Sequence, residues 1–160
     1  MTASEVDPFQ FRQLLGHFAT GVTILTTTTP EGRPLGMTAN SLSSVSLSPP
    51  LISVCVDREA DMHPVILQAS EFVMNVLASD QEALARRFSD KHEDRFDGVG
   101  YQLSAEGLVL LDGVQAHVIC ERQETYAAGD HTIVLGRVIG GTTYERHPLL
   151  YYRGGYAALG

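Results

Sequence analysis

A strict two-residue alternation near the C-terminal end constrains the fold more than any other feature. Val114, Ala116, Val118 and Cys120 alternate with Gln115, His117, Ile119 and Glu121, the period of a strand with one buried face. A turn over residues 127–130 follows, then a long β-rich run over residues 131–144. Gly136 and the pair Gly140-Gly141 are placed for bulges or bends in that run. Adjacent strands joined by tight turns pair antiparallel, and the rest of the chain adds more of them. Residues 22–29 and 34–41 flank the turn sequence Pro30-Glu31-Gly32-Arg33. Residues 44–47 form a short strand ended by Pro49-Pro50, and residues 51–56 are an apolar run expected to be buried on both faces. Residues 71–77 and 149–152 are the remaining strands.

Only three helices are expected, all peripheral. Phe11, Leu14, Leu15 and Phe18 recur at helical spacing, with Asp7 as N-cap and Pro8 at the first position. Residues 61–69 read as a second helix. Ser79 and Glu82 form a capping box ahead of a third that ends near Phe88. Residues 91–100 read as a charged loop with a little helical turn. A parallel βαβ fold needs helices between most strands, and no G-x-G-x-x-G follows the first strand, so a dinucleotide-binding α/β domain is excluded. A mainly β chain with peripheral helices, closed or nearly closed as an antiparallel barrel to remove its edges, satisfies the pattern.

At 160 residues the chain fits a single domain, residues 1–160. Its formal net charge is −8, with 11 Lys and Arg in no basic block. Nucleic acid and anionic membranes are therefore disfavoured partners, and an anionic ligand must be held by a few local cations and oriented N–H groups. The first eight residues are polar and acidic, and no apolar run approaches the roughly 20 residues of a membrane span. Cys55 and Cys120 sit in apolar strand-like runs and read as reduced core residues. A cytoplasmic location is expected.

The usual catalytic signatures are missing: no H-E-x-x-H, C-x-x-C, Walker loop or G-x-S-x-G. Asp61 with His63, and His92-Glu93-Asp94, are possible metal donors, but solvated loop residues are the favoured reading of both. The unusual segment is Gly36-Met37-Thr38-Ala39-Asn40-Ser41-Leu42-Ser43-Ser44-Val45-Ser46. Small residues let backbone groups approach a flat ligand, and hydroxyls and an amide offer uncharged hydrogen bonds. On composition alone a polar hairpin or edge strand accounts for it equally well.

With Leu47-Ser48-Pro49-Pro50-Leu51 behind it, this segment resembles the flavin-binding segment of the flavin reductase-like family, the reductase components of two-component flavin-dependent monooxygenases. Further pieces match in order: Phe18-Ala19-Thr20-Gly21-Val22, Phe72-Val73-Met74-Asn75-Val76-Leu77, Gln81 with Leu84-Ala85, Arg95-Phe96, Gly98-Val99, Gly129-Asp130-His131, and residues 148–156. The resemblance implies a Greek-key split barrel that binds FMN or FAD and takes hydride from NADH or NADPH. It also implies a homodimer and a separate monooxygenase component that receives the reduced flavin.

By the same resemblance, Met37, Thr38, Ala39, Asn40 and Ser41 line the isoalloxazine and ribityl, and Ser43 and Ser44 lie near the ribityl or phosphate. Asp57, Arg58, Glu59 and Ala60 hold the phosphate end, where a guanidinium suits a phosphate. Arg87 and Phe88 are a second candidate contact. His131 is the candidate catalytic residue beside the flavin face, and Tyr152, Arg153, Gly154 and Tyr156 flank the nicotinamide. Competing readings are a split-barrel flavoenzyme with another substrate, a flavin-binding electron carrier without turnover, and a barrel for another small ligand.

Overall fold

A computed structural model describes residues 4–91 and 94–160. Helix α1 (Pro8–Gly16) starts as expected: Asp7 is extended, and its carboxylate accepts the Gln10 N–H at 2.9 Å. Strands β1 (Thr20–Gly21), β2 (Thr23–Thr28), β3 (Pro34–Ala39), β4 (Ser43–Leu47) and β5 (Pro50–Asp57) follow. Then come α2 (Met62–Ile66), β6 (Glu71–Val76), α3 (Glu82–Ser89), β7 (Tyr101–Leu103) and β8 (Val109–Leu111). The chain ends with β9 (Ala116–Ala128), β10 (His131–Thr143), β11 (Leu149–Tyr152) and β12 (Gly155–Ala158).

Seven strands form one sheet in the order β3-β2-β6-β9-β10-β5-β4, with every pairing antiparallel. Its two outermost strands, β3 and β4, are consecutive in the chain and joined by residues 40–42. The sheet therefore curls on itself as a split barrel. Strands β1, β11 and β12 form a separate sheet, and β7 pairs with β8.

Alternation then sorts the side chains. Leu25, Val54, Phe72, Met74 and Val134 fill the barrel. Ile24, one residue from Leu25 and so on the opposite face, joins Leu77, Phe88, Leu111 and Leu149 in a second core under α3 and the small sheet. Both cysteines are free. Burial pushes the Cys120 thiol up to about 12, so it stays neutral and packs as a small apolar group.

Several expectations need correction. The capping box does not form: α3 starts after Gln81, while the Ser79 N–H bonds the His147 carbonyl. The Gln81 side chain instead accepts from Ala78 N and donates to the Asp112 carbonyl. Pro50 opens β5 opposite Leu47, so Pro49-Pro50 makes a hairpin rather than a stop. β5 is fully buried on one face only, through Ile52, Val54 and Val56, whereas Leu51, Ser53 and Cys55 are half-buried. α2 is shorter than residues 61–69. β9 runs on through Ala128, leaving Gly129-Asp130 as the turn. Strands β1, β7, β8 and β12 were absent from the expectation; the first three have only two or three residues, too few to show a period. The bulges in β10 do occur, where register shifts fall between Val134 and Gly136 and between Val138 and Gly140.

Asn75 ties the layers together. Fully buried on β6, it donates to the Ile24 carbonyl and to Thr26 Oγ1, both at 2.9 Å, and accepts the Leu111 N–H at 2.9 Å. Asn75→Ala strips buried partners from β2 and β8 at once, which costs about 3 kcal/mol. Urea denaturation checks this, and a loss under about 1 kcal/mol would contradict it.

Candidate functional site

β3 is an outer strand of the large sheet, so one row of its backbone N–H and C=O groups has no strand partner. What packs on the face of β3 is set by a glycine. A Cβ on Gly36 would lie 2.7 Å from the Phe88 ring and 3.3 Å from that of Phe96. Only glycine lets those rings settle on the strand. Two residues on, Thr38 Oγ1 donates to the Ala85 carbonyl at 2.6 Å. Together these contacts seat α3 across β3.

The helical step of 100° per residue then decides which side chains reach which side. With Ala85 and Phe88 buried, Arg86 and Ser89 flank one side of α3, and Ala83, Arg87 and Asp90 the other. The first flank forms a cleft of about 340 Å³ with Thr38, Ala39 and Asn40 of the β3 end and Val22, Tyr151, Gly154 and Tyr156 of the strands beside it. The Arg86 guanidinium pairs with Glu82 at 2.8 Å and lies 4.9 Å from the Tyr156 ring centroid, a cation–π contact. Desolvation raises the Tyr156 phenol above its usual range, against the opposing pull of Arg86. Thr20, opposite Tyr151 across β1 and β11, has a buried Oγ1 with no hydrogen-bond partner among the described residues.

Of the sequence candidates, Thr38, Ala39, Asn40, Gly154 and Tyr156 line this one cleft. The other candidates lie elsewhere. Met37 packs against the barrel core. Ser41 does not line the cleft; its hydroxyl accepts the Cys55 N–H at 3.0 Å and donates to the Cys55 carbonyl at 3.3 Å. Ser43 and Ser44 are exposed on β4. Phe88 is core, 1% exposed. Arg87 grips three backbone carbonyls, those of Arg95 at 2.6 Å, Asp94 at 2.9 Å and Asp97 at 2.5 Å.

The loop held by Arg87 carries Arg95, a residue 8% exposed. Its guanidinium donates to the Gly36 carbonyl at 3.0 Å and to Asp61 at 3.1 Å. One buried cation therefore joins the start of the cleft strand to the segment after residues 57–60.

Residues 57–60 form a second corner. The Glu59 N–H caps on Asp57 Oδ1 at 2.8 Å, the Arg58 N–H bonds the Asp130 carbonyl at 3.0 Å, and Asp57 stands opposite His131. His131 is partly exposed and donates Nδ1–H to Asp130 Oδ1 at 2.7 Å. That bond holds the Asp130 carboxyl below its usual range. His131 does not line the cleft within this chain. The corner adjoins it through Ser41, whose partner Cys55 lies two residues, about 7 Å, along β5 from Asp57. Tyr152 ends β11 opposite Gly155, and Arg153 shares the β11–β12 turn with Gly154.

No cluster of three metal-donor side chains occurs among the described residues, which include Asp61, His63 and Asp94. His92 and Glu93 lie outside them. Sequence reasoning missed Arg86, Ser89 and Tyr151. The registration of α3 by Ala85 and Phe88 was the signal that separates Arg86 from Arg87.

The end of β3, a hydroxyl, an amide side chain, a cation and aromatic rings around 340 Å³ suit a flat, polar-edged ring bearing an anionic tail. The comparisons agree with that chemistry. Residues 15–160 match the family described as "Flavin reductase like domain". A flavin reductase from Pseudomonas putida is 42% identical over 157 residues, covering 98% of this chain and 92% of the relative. A flavin-dependent monooxygenase reductase subunit from Rhodococcus jostii is 36% identical over 160 residues, covering 99% and 82%. The solved NADH:FAD oxidoreductase of Streptomyces globisporus C-1027, in complex with NAD and FAD fragments, superposes with a TM-score of 0.91 at 42% identity, covering 99% and 98%. With family, fold and cleft in agreement, this chain belongs to the flavin reductase-like family.

Proposed function

We propose that the chain is an NAD(P)H:flavin oxidoreductase that reduces FMN or FAD and passes the reduced flavin to a separate flavin-dependent monooxygenase. The observation that carries this reading is the cleft between the end of β3, helix α3 and the β11–β12 hairpin. Bound flavin supplies an acceptor for hydride from the dihydronicotinamide, so the protein's task is placement of two rings rather than covalent chemistry.

Thr38, Ala39 and Asn40 offer backbone and amide hydrogen bonds to the polar edge of the flavin ring. Arg86, held by Glu82 and Tyr156, supplies positive charge at the cleft wall. Donors and a cation fixed in advance stabilise charge that develops on reduction, without reorganising when it appears. The corner at residues 57–60 and 130–131 takes a more distant part of a nucleotide. His131, oriented by Asp130, would meet the nicotinamide from the side where the corner adjoins the cleft. The open cleft accords with a flavin that exchanges rather than one that stays bound.

The working unit is a homodimer. Along α1 and just past its end, Phe11, Leu14, Leu15 and Phe18 are 52–74% exposed, an apolar surface that a second copy would cover. Light scattering should give twice the mass of one chain. The free thiols at Cys55 and Cys120 accord with a reducing, cytoplasmic setting.

Mixing the protein with NADH or NADPH and FMN, FAD or riboflavin should give flavin-dependent loss of nicotinamide absorbance. Tight flavin binding with no turnover in any combination would instead identify an electron carrier and overturn the reading. His131→Ala should raise the KM for the nicotinamide several-fold while the flavin KM stays within about two-fold. Equal changes in both would remove His131 from the nicotinamide site.

A further inference from the structure

A second pocket, also about 340 Å³, adjoins the cleft and shares Gly154 with it. Its walls are Phe9, Arg12, Gln13 and His17 of α1 and its C-terminal end, and Arg153 of the β11–β12 turn. No carboxylate lines it, although the chain carries 19 acidic residues against 11 Lys and Arg. Its two permanent cations are the guanidinium groups of Arg12 and Arg153. Arg86, Arg95 and Arg137 pair with carboxylates, but Arg12 and Arg153 have no such partner among the described residues.

The position is held rather than incidental. Arg153 adopts φ +52°, the one positive value at a non-glycine position among the described residues. Its N–H bonds the Gly16 carbonyl at 2.8 Å, tying the hairpin turn to the end of α1. Helix C-termini ordinarily repel anions through their open carbonyls. Here all four are occupied: Gln13 O by His17 Nδ1, Leu14 O and Leu15 O by the His17 and Phe18 N–H groups, and Gly16 O by Arg153. The carbonyl of Gln13 can only accept, so His17 donates from Nδ1 and keeps Nε2 free. Phe9, 69% exposed, adds a flat apolar face at the rim.

We infer that this pocket binds the adenosine diphosphate portion of a dinucleotide, with Arg12 and Arg153 on the pyrophosphate and Phe9 against the base. This rests on the flavin reductase reading, which puts a nucleotide's reactive ring in the adjoining cleft. Two dinucleotides carry this group, the nicotinamide donor and FAD, and both share the chemistry that two guanidinium groups recognise.

Calorimetry with ADP as the probe tests the inference without turnover. The wild-type protein should bind ADP, Arg12→Gln should weaken binding about ten-fold, and Arg12→Lys should recover part of that loss. Inorganic pyrophosphate should inhibit wild-type turnover competitively with the dinucleotide. Steady-state KM values assign the source. A rise for NADH or NADPH alone points to the nicotinamide donor, and a rise for FAD but not FMN points to FAD; either supports the pocket. Arg12 is exposed on α1, so its replacement leaves the core untouched. Absence of ADP binding, or binding unchanged in Arg12→Gln, overturns the inference even if flavin reduction is intact. Absence of flavin-dependent nicotinamide oxidation by the wild-type protein overturns the underlying reading instead.

Discussion

The outer strands of the large sheet, β3 and β4, are neighbours in the chain, and everything else in the molecule adjusts to that. Laid flat, seven strands would hold their outer members roughly 29 Å apart, at about 4.8 Å per spacing. The link from Ala39 to Ser43 has four Cα steps and can span at most about 15 Å. The sheet must curl until its edges nearly meet. Ser41 fixes the join by engaging both backbone groups of Cys55. Because the barrel is split there, β3 keeps its unpaired edge, and Ser41 of the link ties the end of the cleft strand to β5 two residues short of the corner at residues 57–60.

A strand edge left open in this way needs support from behind, and buried polar groups supply it. Arg95 reaches the Gly36 carbonyl from a loop that Arg87 holds by three carbonyls, and it extends to Asp61 beyond the second corner. Asn75 anchors the neighbouring strands. A buried cation costs desolvation unless it is well bonded. Arg95 meets that cost with a carboxylate and a carbonyl, while its Nε has no partner among the described residues. Support for the site and stability of the barrel are therefore the same set of contacts.

Strand-rich segments, the first helix and the bulges in β10 were legible because each carries a local signature: a period, a cap or a glycine. The segment at residues 36–46 was legible as a close-approach strand, and its partners Gly154 and Tyr156 only through the ordered resemblance. What could not be read locally depends on three-dimensional registration. Ser79 and Glu82 have the spacing of a capping box, yet a backbone bond to His147 takes Ser79 out of the cap. Arg87 looks like a ligand group until Phe88 is seen to pack on Gly36, which turns Arg86 to the cleft and Arg87 to the loop. The apolar stripe of α1 reads as a core face, but among the described residues nothing covers it.

The central claim is that the short link between β3 and β4 makes the flavin site by drawing the sheet closed. Inserting two glycines between Asn40 and Ser41 tests it most directly, with flavin KM and thermal unfolding measured on the same sample. Lengthening a loop costs little entropy, well under about 1 kcal/mol. The variant should therefore still unfold cooperatively while its flavin KM rises at least about ten-fold, a loss of about 1.4 kcal/mol in binding. A folded variant with the parent's flavin KM would contradict the account.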